Sequence, residues 1–240
     1  MKNTAKGLLL LLVVCAGVLL HADVTVGTFD TGNCYPFLCN DSGTSVGPTM
    51  DYQQAYSHTA FSGAITITNL EFAYAAEFGG SSIMINGDYS IYLGTSASPF
   101  NALNPNQVAN RGADWTLVDS LTVSGGNGCD FNPVCTINLS TPFTYNPANG
   151  DLLLEVIASN QDNIPNGSGN GYNEADDTGT VMGRNYCIGG VNCSSGTVDS
   201  VGLVTTFSTG VSTTPEPGTL VMFGSGILGL AGVLRRKFKV

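Results

Sequence analysis

Apolar residues recur along this chain in short runs separated by turn-forming stretches, and within several of those runs they alternate with polar residues. Residues 88–93 carry Tyr89, Ile91 and Leu93 in strict alternation, the period of a strand with one buried face. In residues 64–74, Ile65 and Ile67 share one parity while Leu70, Phe72 and Tyr74 share the other, which predicts a strand with a bulge near Asn69. Residues 152–157 read Leu-Leu-Leu-Glu-Val-Ile, apolar on both parities except at Glu155, which predicts a central strand covered on both sides. Shorter runs at 24–29, 52–56, 115–118, 121–123, 136–139, 143–145 and 198–207 continue the series. Asn86-Gly87 predicts a hairpin between runs 82–85 and 88–93, and Asn149-Gly150 a turn into 152–157. Residues 161–180 read as a long polar loop, and only the termini carry an uninterrupted helix-compatible pattern. The expected fold is all-β: an antiparallel, jelly-roll-like β-sandwich with an N-terminal signal helix and a C-terminal transmembrane helix.

The two ends frame this body. Lys2 and Lys6 precede an apolar run over residues 7–20, and Ala22 stands at a small-residue cleavage position, the layout of a secretory signal peptide over residues 1–22. Cys15 lies inside that segment without the small residue that lipoprotein processing needs before it. The expected domains are therefore the leader (1–22), a β-sandwich ectodomain (23–211) and a terminal segment (212–240). That last segment holds Pro215-Glu216-Pro217, an uncharged run over 219–234 with four glycines, and then Arg235, Arg236, Lys237 and Lys239. The run is near the lower limit for crossing a bilayer core of ~30 Å. Its basic end should remain cytoplasmic, which leaves the body on the outer side.

In this order of Pro-Glu-Pro, glycine-punctuated apolar run and basic cluster, the chain resembles the PEP-CTERM sorting-signal proteins of Gram-negative, exopolysaccharide-producing bacteria. The resemblance implies cleavage near Pro215, Glu216 and Pro217 by an exosortase, a membrane cysteine transpeptidase. It also implies a Sec-exported inner-membrane intermediate that is delivered to the envelope or extracellular matrix. Residues 61–67, 89–96 and 143–156 are similar, more loosely, to jelly-roll ectodomains that precede such tails.

Charge and cysteine content refine the body. Seventeen carboxylates stand against Arg111 and Arg184 alone between residues 23 and 199, a surface that repels nucleic acid and favours cations or neutral polymers. Besides Cys15 there are six cysteines, in three close pairs: Cys34 with Cys39, Cys129 with Cys135, and Cys187 with Cys193. Six cysteines allow fifteen connectivities, and export with repeated short spacing favours three local staples over a zinc site.

Four constellations are candidates for chemistry. Gly43-Thr44-Ser45-Val46-Gly47 matches a nucleophile elbow, but no helical pattern follows, and His58 with Asp51 lies too close in sequence to build a triad. Glu71 and Glu155 sit in strand patterns and would serve a glycosidase if they faced each other across a cleft at ~5–9 Å. Asp162, Glu174, Asp176 and Asp177, in a Gly- and Asn-rich stretch, offer oxygen ligands for a structural Ca²⁺, though not in EF-hand spacing. Trp115, Tyr52, Tyr56, Tyr92 and Tyr172 are candidates for a sugar-stacking platform. The expectation is a non-catalytic cell-surface or matrix protein, with exosortase as its processing partner and polysaccharide as its ligand. The alternative is a carbohydrate-binding or carbohydrate-cleaving jelly roll.

Overall fold

The computed structural model describes residues 23–39, 49–162 and 171–209. The leader, the glycine-flanked Ser45 and the Pro215-Glu216-Pro217 segment with its apolar run lie outside them. The described residues form thirteen strands: β1 (Val24–Val26), β2 (Thr31–Asn33), β3 (Met50–Tyr56), β4 (Ile65–Ala73), β5 (Gly87–Thr95), β6 (Thr116–Val123), β7 (Val134–Tyr145), β8 (Leu152–Ser159), β9 (Asn173–Asp176), β10 (Met182–Ile188), β11 (Thr197–Asp199), β12 (Gly202–Leu203) and β13 (Thr205–Ser208). Among the described residues the only helices are short 3-10 turns, and none is long and apolar enough to cross a membrane.

The strands form an antiparallel β-sandwich. One sheet has the order β1-β13-β4-β7, the other β11-β10-β3-β8-β5-β6, and β12-β9-β2 make a small third sheet. The main core lies between the two large sheets: Ile65, Ile67, Leu70, Phe72 and Phe207 come from one, and Tyr52, Tyr56, Ile91, Leu154 and Val156 from the other. The bulge of β4 falls between Ile67 and Asn69, where the apolar parity changes, so both halves of the strand turn their large side chains inward. Strand β8 is the centre of its sheet, paired along its whole length with β3 and β5.

Both faces of β3 and β8 are buried, which a two-layer sandwich alone does not achieve. The connection from β5 to β6, residues 96–115, folds back over the outer face of the six-stranded sheet. It carries 3-10 turns at Phe100–Ala102 and Gln107–Asn110. Beneath it Leu103 covers Ala55 and Leu153 in a second, smaller apolar cluster with Phe100 and Trp115 packed against it. Two glycines let this flap sit close. A Cβ on Gly183 would lie 2.3 Å from the Phe100 carbonyl oxygen, and one on Gly94 would lie 2.7 Å from the Trp115 Cα.

Several local expectations are corrected. Asn86-Gly87 does not close a hairpin: Met84 donates its N–H to the Cys129 carbonyl and Ile85 to that of Phe37, so the segment before β5 bonds to other loops. Runs 115–118 and 121–123 form one strand, as do 136–139 and 143–145. The polar stretch 161–180 contains β9, and β10 pairs with β3 over seven residues without having an apolar pattern to announce it.

Candidate functional site

The flap covers a row of polar side chains that a soluble sandwich would normally leave in water. Across the outer face of the six-stranded sheet, Asn185, Gln53, Glu155 and Tyr92 occupy one rung of β10, β3, β8 and β5. Glu155 is fully buried and accepts from four donors. Arg111 Nε (2.8 Å) and Trp115 Nε1 (2.6 Å) bond Oε2, while Arg111 Nη2 (2.5 Å) and Gln53 Nε2 (3.1 Å) bond Oε1. Asp51, also fully buried, takes the Asn192 backbone N–H on Oδ2 at 2.8 Å, lies 3.7 Å from Arg111 Nη2, and has no donor on Oδ1. Burial, followed by the adjacent Glu155 charge, pushes the Asp51 carboxyl well above the usual carboxylate range.

The amides close the network. Gln53 Nε2 donates to the Gln107 carbonyl, Gln107 Nε2 to the Asp51 carbonyl, and Asn110 Nδ2 to Gln53 Oε1. Gln107 also takes the Cys193 N–H on its side chain and gives its own N–H to the Cys193 carbonyl. The Cys187–Cys193 disulfide thus holds a ring of chain that caps Asp51 and grips the flap. The other bridges are Cys34–Cys39 and Cys129–Cys135.

The proposed glycosidase pair is not assembled. Glu71 alternates with inward Leu70 and Phe72 and takes the Ser208 hydroxyl on the outer face of the four-stranded sheet. Glu155 lies on the outer face of the opposite sheet, so the whole sandwich separates them. Asp51 is the acid that shares a partner with Glu155: Arg111 Nη2 bonds Glu155 Oε1 and lies 3.7 Å from Asp51 Oδ2, and both acids are closed to solvent. That is not the open, water-admitting separation of a glycosidase. His58 pairs not with Asp51 but with Asp151: Nδ1 lies 2.7 Å from Oδ1, and the carboxylate also accepts the His58 and Phe100 backbone N–H groups. Sequence distance hid this contact.

The expected aromatic platform is also undone. Tyr52 and Tyr56 are core residues. Trp115 has its ring 4.3 Å from Tyr92 in a parallel stack and 4.3 Å from the Arg111 guanidinium; two groups that close cannot share a ring face, so both faces are covered. Tyr172 leans on Phe78 at 5.7 Å.

The four Ca²⁺ candidates are not gathered. Asp162 receives Asn86 Nδ2, Asp176 receives Thr28 and Thr178, and the Asp177 backbone bonds Asp30. Among the described residues no three His, Cys, Asp or Glu side chains are placed to hold a metal ion. The four-stranded sheet offers a different surface. Its outer face is a ladder of short polar side chains: Thr25 bonds Thr206, Thr206 is in register with Glu71, Glu71 with Thr136, Asn69 with Asn138, and Thr66 bonds Thr144.

A comparison with family models places a PEP-CTERM protein-sorting motif at residues 213–237. This chain therefore carries the recognition signal for exosortase, the mark of an exported protein processed at the membrane of a Gram-negative bacterium. No curated protein and no solved structure matches the chain.

Proposed function

We propose that the body is a non-catalytic structural or adhesive module of the cell surface or matrix, associated with neutral exopolysaccharide after exosortase has removed the tail. The observation that carries this reading is the ladder of Thr and Asn side chains on the four-stranded sheet, a surface of hydroxyl and amide groups suited to a hydroxyl-rich polymer. Against the alternative of a carbohydrate-binding or carbohydrate-cleaving jelly roll, Asp51 and Glu155 are buried and Trp115 is packed against Tyr92 and Arg111. We read the two sheets as a jelly roll, with the orders β1-β13-β4-β7 and β3-β8-β5-β6, extended at one edge by β10 and β11.

The test is binding of the purified protein to a glycan array and to isolated matrix polysaccharide. Retention on neutral glycans, lost in a Thr136→Glu, Thr206→Glu double variant, is the expected result. Absence of binding to every neutral polymer overturns the polysaccharide association. Glycan hydrolysis overturns the non-catalytic reading. The module needs no cofactor, so chelator should leave its melting midpoint unchanged; a fall would restore a structural Ca²⁺ near Asp162, Glu174, Asp176 and Asp177.

A further inference from the structure

Two fully buried carboxyl groups against one guanidinium make an uneven charge count beneath the flap. Glu155 already has a donor at each of its four acceptor positions. Asp51 Oδ1 has none, although the side chain is fully buried. Ionised together, the two carboxylates would share one guanidinium in a buried site and leave one negative charge without a counter-ion. A proton on Asp51 removes that surplus and leaves one ionised acid against Arg111.

The chain elements joined at this point are those that could part. Asn192 in the disulfide ring bonds Asp51 Oδ2, Arg111 and Trp115 of the flap bond Glu155, and both acids stand on central strands. We propose that Asp51 and Glu155 form a proton-operated latch: with one proton shared, the flap of residues 96–115 and the Cys187–Cys193 ring lie closed on the sheet, and loss of that proton releases them.

The groups around the pair support this direction. From β8 there is Glu155, from β3 Gln53, and from the flap Arg111, Asn110 and Gln107. From the ring there is the Asn192 N–H, and from β5 Tyr92, which interacts with Arg111. Asp114, the other charged flap residue next to Trp115, is turned to Thr95, bonding its N–H and hydroxyl. Arg111 is therefore the sole cation facing the pair among the described residues, and it is already committed to Glu155. Deprotonated, the pair would hold a second negative charge out of water with no second counter-ion. Opening hydrates it. The open state binds the proton less tightly, so rising pH favours opening, and the effect levels off once the closed form has itself lost the proton. What opening uncovers is the apolar floor of Ala55 and Leu153.

Trp115 is the only tryptophan in the chain and bonds the latch directly, so its fluorescence reports the state of the flap. The experiment is an emission and acrylamide-quenching titration of the full chain from pH 5 to 9. The expected result is a reversible shift to longer wavelength, with increased quenching, that follows about one proton. In Asp51→Asn, which matches the neutral acid in shape but cannot ionise, emission should stay at the acid-side wavelength throughout. A flat wild-type titration, or a variant that titrates like wild type, overturns the proposal. If Asp51→Asn emits as an exposed indole already at pH 5, the wild-type curve decides: a reversible one-proton transition with the β-sheet circular dichroism unchanged supports the latch. A transition that coincides with loss of that dichroism is global unfolding and overturns it.

Discussion

The backbone N–H of Thr209 donates to Asp23 Oδ1 at 3.1 Å, and Val24 stands in register with Phe207, so the first and last strands of the body are neighbours. Strand β13 is not an edge: it lies between β1 and β4. The four-stranded sheet therefore has no middle until residues 205–208 are in place.

Phe207 carries much of that closure. Its ring meets Tyr56 edge-on at 4.9 Å and Phe61 at 5.5 Å, and the side chain is fully buried. Phe207→Ala should cost about 3–5 kcal/mol, the usual result of emptying an aromatic site in a core. A chain ending at Leu203 should not fold, whereas one ending at Pro215 keeps all of β13 and should melt with the parent. Circular dichroism melts check all three. A truncation at Leu203 that melts cooperatively would mean the sheet closes without its central strand.

Arg111 and Arg184 each make a forked bond to one acid, in different surroundings. Arg184 bonds Asp199 through Nε (2.7 Å) and Nη2 (2.9 Å), and the Asp199 side chain is a third exposed. Glu155 has no exposure at all. Arg111→Met should cost about 3–5 kcal/mol because Glu155 keeps its charge in a dry site without its cation. Arg184→Met should cost less, since water can reach Asp199. Urea midpoints at fixed pH compare the two, and equal losses would show that Glu155 is not held as a buried charge.

How far the sequence reaches can be judged at single elements. Strand β8 and the bulge of β4 are legible because apolar parity is a physical requirement of a sheet with a core on one or both sides. Strand β10 is illegible because the flap, not an apolar face, covers it: Gly183 and Asn185 are buried under Phe100 and the Asn104 carbonyl, so polar residues do the work of a core. The same flap turns Glu155 from a surface candidate into an internal anion. No local pattern announces that Arg111, forty-four positions earlier, will bond it. The one local clue was the lone acid in an otherwise apolar run, which marks a position needing a partner without naming it. The sorting motif is fully legible, because its three parts are contiguous.

The Cys187–Cys193 ring is small, so its removal by Cys187→Ser, Cys193→Ser acts on the unfolded chain by only about 2 kcal/mol. The native-state consequence is more specific. The ring presents the Asn192 N–H to Asp51 and exchanges two bonds between Cys193 and Gln107, none of which Cys34–Cys39 or Cys129–Cys135 supports. Hydrogen exchange should accelerate at Gln107, Asn192 and Cys193 in this variant while β4 and β8 stay protected. Uniform acceleration would place the ring in the global unfolding unit.

The pH dependence of global stability has opposite signs at two aspartates. Asp51 has its native value raised to about 8 by burial first and then by Glu155, so the folded state holds a proton that the unfolded chain has already lost above the ordinary carboxylate range. Its contribution to stability therefore falls as pH rises from about 4 and is constant beyond about 8. Asp176 is the reverse. Burial works to raise it, but the Thr178 hydroxyl and the Thr28 and Thr178 N–H groups outweigh that and hold it below its usual value, so its stabilisation is lost as pH falls through the acid range. These two contributions taken alone are both fully present only on the mildly acidic side. A series of melts from pH 3 to 9 should show the midpoint declining from about pH 5 to 8. Asp51→Asn should flatten that limb, and Asp176→Asn should flatten only the acid one. If Asp51→Asn leaves the neutral limb unchanged, the buried pair does not hold its proton at Asp51.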